Sequence, residues 1–77
     1  MTPDYREALG RLAALYRSLV AAEAKCEARM KLRGALPAGS SRARVTTANA
    51  RWSTAAEARD RIEKGIRALR AADGRLP

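Results

Sequence analysis

The sequence predicts an all-α protein: a two-helix antiparallel hairpin with a coiled-coil seam, expected to dimerise into a four-helix bundle. Three observations predict it. Apolar residues alternate at spacings of four and three through two long stretches. A single cluster of helix breakers, running from Gly34 to Ser41, separates those stretches. Of the 36 apolar residues, 18 are Ala, which contribute little buried area, so a lone hairpin is marginal and self-association is the expected remedy.

The first helix is expected over about residues 3–33. Thr2 is a suitable N-cap, Pro3 suits the first helical position, and Asp4 complements the positive end of the dipole. Its heptad line reads Tyr5, Leu9, Leu12, Tyr16, Leu19, Glu23, Cys26 and Met30. Leu15, Val20 and several alanines widen the stripe beyond what one partner helix can cover. Gly34 is the expected C-terminal glycine, and Pro37 prevents the helix from resuming.

A loop is expected over about 34–44, then a second helix over about 45–73. Ser40, Ser41, Thr46 and Thr47 are all caps in reach, so the start falls between Ser41 and Thr47. The second line reads Val45, Ala48, Trp52, Ala55, Arg59, Ile62, Ile66 and Leu69, and Gly74 and Pro77 stop it. The expected core is therefore Leu9, Leu12, Leu15, Tyr16, Leu19, Trp52, Ile62, Ile66 and Leu69. Glu23 and Arg59 interrupt these lines at matching levels and are expected to pair across the seam. One domain spans residues 1–77.

Charge is the least ordinary feature. The formal net charge is +8, yet no Asp or Glu occurs between Glu27 and Glu57. Arg29, Lys31, Arg33, Arg42, Arg44 and Arg51 fall in that gap and account for six of the eight excess charges. Folding the hairpin gathers them at one end of a rod. The helix dipole favours Arg29, Lys31 and Arg33 at the end of the first helix, but it opposes cations at the start of the second. These six are the candidate anion-binding residues, with Ser40, Ser41, Thr46 and Thr47 as hydroxyl partners.

Catalytic classes are narrowed by what is missing. The chain has no His and one Cys, which removes His/Cys metal clusters and Ser-His or Cys-His nucleophile systems. Cys26 reads as a reduced core residue. No run of apolar residues is long enough to span a membrane, and no leader pattern is present, so a cytoplasmic protein is expected. The hairpin resembles dimeric helical-hairpin RNA-binding proteins and small hairpin proteins of the ribosome in architecture alone, with no shared residue motif. The expected function is non-enzymatic: binding of an anionic macromolecule, a nucleic-acid backbone first, through the cationic tip. The alternative is a protein-interaction module docking on an acidic partner, or a structural component of a larger assembly. Neither a cofactor nor a small-molecule substrate is expected.

Overall fold

A computed structural model of the protein describes residues 4–77. Two helices, α1 (Tyr5–Gly34) and α2 (Arg42–Ala72), pack against each other along their length, and no strand occurs among the described residues. The hairpin is a rod measuring 58 × 15 × 14 Å. Its radius of gyration is 17.2 Å, against about 11 Å for a compact domain of this length. Surface is therefore high relative to volume, and burial is correspondingly thin.

Asp4 caps α1, its carboxylate accepting from the Arg6 N–H at 3.3 Å. The expected cap Thr2 and the helical Pro3 lie outside the described residues. At the far end α1 closes with Ala35 in the right-handed region, its N–H donating to the Lys31 carbonyl at 2.9 Å. Gly34 is consequently the last helical residue and not a left-handed cap. Left-handed geometry falls instead on Gly39, at φ 85°. It is the third residue of the turn Pro37–Ser40, closed by the Ser40 N–H on the Pro37 carbonyl at 3.1 Å. That is the type II pattern, which places a glycine where a Cβ would be strained.

The second helix starts earlier than its heptad line suggested. Ser41 is the N-cap, with its hydroxyl accepting from the Arg44 N–H at 3.3 Å, so α2 begins at Arg42 and not at Val45. The connection shrinks to residues 35–41. Thr46 and Thr47 lie inside the helix.

The seam of α1 is rotated from the expected line. Residues buried or half-buried along it are Ala8, Leu12, Leu15, Leu19, Ala22, Cys26 and Arg29, again a four–three alternation. Leu9, Leu12, Leu15, Leu19, Ile62, Ile66 and Leu69 belong to the core as expected. Tyr16 does not: it is 42% exposed. Trp52 is half-buried and sits away from the main cluster. Small side chains explain the rotation. Ala8, Ala22 and Ala55 allow the helices to approach closely, and Gly65 lies opposite the Leu15 side chain, where a methyl group would find ordinary van der Waals contact. A tyrosine at the centre of the seam would hold them apart.

Glu23 follows Tyr16 out of the seam. It is exposed, and Arg59 pairs elsewhere, reaching the Cys26 sulfur at 3.8 Å and the Asp60 carboxylate at 3.4 Å. The seam ion pair expected from the sequence is not formed.

The core lies at the base of the rod. Leu12 and Ile66 are buried together with Ala8 and with Leu76, which comes from beyond the end of α2. The chain turns at Asp73, where the Leu76 N–H donates to the Asp73 carbonyl at 3.2 Å, and Leu76 folds back onto the cluster. The Asp73 carboxylate accepts from the Arg75 backbone N–H at 3.1 Å, from Nε at 2.9 Å and from Nη2 at 2.8 Å. Those bonds hold the Asp73 carboxyl below its ordinary range and raise the Arg75 guanidinium above its own. Arg75 also lies over the Tyr5 ring, 5.3 Å from its centroid, tying the end of the chain to the start of α1.

Candidate anion-binding site

The six expected cations share one end of the rod but not one surface. Arg29, Arg44 and Arg51 line a groove of about 390 Å³ between the helices, next to the loop. Arg29 and Arg51 also border a second groove of about 320 Å³ further along the seam, where Lys25 joins them. The two grooves adjoin at these shared arginines and together make up a trough along the seam. No acidic residue lines either part among the described residues.

Alanine makes the trough possible. Ala22, Ala50, Ala55 and Ala58 floor the first part, with Ala43 and Ala48 beside Leu32 and Leu36 in the second. Beside the close seam, methyl side chains leave the surface groove between the two helices shallowly filled, so the long Arg and Lys side chains become the walls. A guanidinium presents five donors in a planar fork and stays charged at every working pH, which suits it to phosphate and carboxylate oxygens.

The other three cations are placed differently. Lys31 forms an ion pair with Glu27 at 3.2 Å, the i,i+4 arrangement along α1, which offsets its charge locally. Arg33 lies over the Trp52 ring at 4.9 Å from the centroid, so the guanidinium covers the aromatic face. Arg42 is exposed at the first position of α2 and lines neither groove.

Helix boundaries also redistribute the electrostatic strain. Arg42 and Arg44 lie in the first turn of α2, which contains no acid, so the dipole opposes both. Arg51 lies beyond the first turns, where that effect has decayed, and its placement carries no such cost. The hydroxyls expected to assist are already engaged: Ser40 donates to the Pro37 carbonyl at 2.6 Å, and Ser41 caps α2. Thr47 lines the groove beside the loop.

Lys25 was missed by the acid-free window, because it precedes Glu27. Its i,i+4 spacing to Arg29 was the available signal, since that spacing puts both on one side of α1. Across the seam, Glu23, Cys26, Glu27, Met30, Trp52 and Arg59 line a separate cleft. Glu23 and Glu27 thus face this cleft, and the trough lies on the other side of the seam.

None of the described helices is long and apolar enough to cross a membrane. Comparison with family models, curated proteins and solved structures produced no match.

Proposed function

We propose that this is a non-enzymatic, cytoplasmic protein that binds a nucleic-acid backbone in the trough at the tip of its hairpin. Arg29, Arg44 and Arg51 are the principal contacts, and Lys25 extends the row. The observation that carries this reading is the acid-free trough walled by four cations. Contacts of this kind neutralise phosphates and carry no base information, so the binding is indifferent to sequence. Arg42 contributes to the field around the tip without touching the backbone.

A second reading is favoured by one further observation. Leu32 is 59% exposed and, with Leu36, gives the loop end of the trough an apolar floor. An acidic amphipathic helix from a partner protein would satisfy both that floor and the basic walls.

Salt dependence separates the two. Changing Arg29, Arg44 and Arg51 together to Gln is expected to flatten the slope of log affinity against log salt by about 0.9 per lost duplex contact, or about 0.7 on single strands. Changing Arg17, Arg61 and Lys64, which lie outside the trough, is expected to leave the slope unchanged. Equal losses from both variants would show that net charge alone drives binding. An unmodified protein that binds no nucleic acid at low salt would turn the assignment to the acidic helix.

A further inference from the structure

We propose that the outer face of α1 docks a second copy of this chain in antiparallel orientation, with the two-fold axis close to Val20. The inference does not rest on the anion-binding reading, since the trough lies across the seam from this face.

An uncovered stripe is the first observation. Rotation of the seam leaves Tyr16, Val20 and Met30 at 42%, 67% and 52% exposure. Their spacing, continued through Glu23 and Glu27, keeps them along one side of α1. The hairpin meanwhile has no large side chain that is fully buried among its described residues. The surface it needs to cover and the burial it lacks are on the same molecule.

Size is the second observation. One long face of the rod, 58 Å by 15 Å, compares with the roughly 800 Å² that each partner gives to a standard interface. A second rod of the same length is therefore a fitting occupant, where a short peptide would leave most of the stripe bare.

Charge selects the orientation. On this side of the hairpin α1 carries Glu23 and Glu27 in the tip half. In α2 the line through Trp52, Arg59, Glu63, Arg67 and Arg70 has helical spacing, and Trp52 and Arg59 face the same cleft as the two glutamates. Arg67 and Arg70 therefore lie on this side at the base. Antiparallel docking brings Glu27 of each copy to the level of the other copy's Arg67. Parallel docking would instead set two cationic tips side by side. Val20 sits at the middle of α1 (Tyr5–Gly34), which is where the axis passes when two antiparallel copies overlap along the whole helix. Both troughs then stay open, at opposite ends of the assembly.

Sedimentation equilibrium from micromolar concentration upward is expected to show a dimer. Tyr16→Glu together with Val20→Glu is expected to raise its dissociation constant by roughly 100-fold, because unpaired carboxylates would be buried at the axis. Helical circular dichroism should be preserved, since neither side chain lies in the seam. A monomer at all concentrations, or a double variant that associates as tightly as its parent, overturns the proposal. Orientation is read by disulfide formation in a Cys26→Ala background. A mixture of Ala13→Cys and Glu27→Cys chains is expected to cross-link. Glu27→Cys chains alone are not, because the two substituted positions would be about 20 Å apart along the helix. Cross-linking of Glu27→Cys chains alone, or in neither case, overturns the antiparallel arrangement.

Discussion

Asp73 takes three hydrogen bonds from Arg75 while Arg75 covers the Tyr5 ring, so a single carboxylate organises the point where the chain ends against its beginning. Because these bonds favour the ionised form, the folded-state pKa of Asp73 lies below its ordinary 3.8. A depressed carboxylate pKa contributes stability above the ordinary value, and that contribution is lost as pH falls through the folded value. Asp73→Asn is therefore expected to lower the urea midpoint at neutral pH, and the gap from the parent protein should close in acid below the ordinary carboxylate range. A gap that persists undiminished in acid would show that the Asp73 side chain contributes independently of its ionisation, and no gap at any pH would show that it acts through its backbone alone. None of this was legible in the sequence, where Gly74 and Pro77 read only as a stop. The carboxylate–guanidinium pair is a local turn, and hydrophobic periodicity carries no information about it.

At the scale of the elements, the two helices themselves were plain in the sequence, because breaker residues and caps are local signals. Ser41 was among the expected caps, yet the heptad line drew the start of α2 forward to Val45, since apolar spacing begins only there. The first turn before it is polar and solvated, and periodicity cannot register it. Which apolar line of α1 becomes the seam was harder still. Both lines share Leu12, Leu19 and Cys26, and the choice between Tyr16 and Leu15 depends on how closely two alanine-rich surfaces approach. That is a property of the pair and not of either helix. The same boundary shift explains the tip: with α2 starting at Arg42, two arginines oppose the dipole and only Arg44 reaches the trough. Arg42→Gln is therefore expected to stabilise the protein by a few tenths of a kcal/mol, read from urea melts. Nucleic-acid affinity at the trough should keep its salt slope in this variant. A loss of slope equal to that of Arg44→Gln would place Arg42 among the contacts.

For the whole molecule, stability is distributed unevenly along the rod. Leu12, Ile66 and Leu76 are buried at the base, whereas Met30, Leu32 and Val45 near the tip are exposed. Leu76→Ala is expected to cost about 2 kcal/mol or more in urea denaturation, because it empties a packed site. Leu32→Ala should cost close to nothing by the same measurement. Equal effects would mean that the two ends of the rod are equally consolidated. The acid-free gap in the sequence correctly located the cationic end, but it could not divide that end into an acidic side and a basic side. That division depends on the rotation of each helix about its axis.

Trp52 is the chain's one tryptophan, it is half-buried at the thinly packed end, and the Arg33 guanidinium rests on its ring. Its fluorescence therefore samples the tip while the far-ultraviolet dichroism averages over both helices. The wavelength of that emission is a local gauge: fraying that begins at the loop reddens it before ellipticity is lost, and the lag between the two signals measures how far the ends of the rod unfold as one.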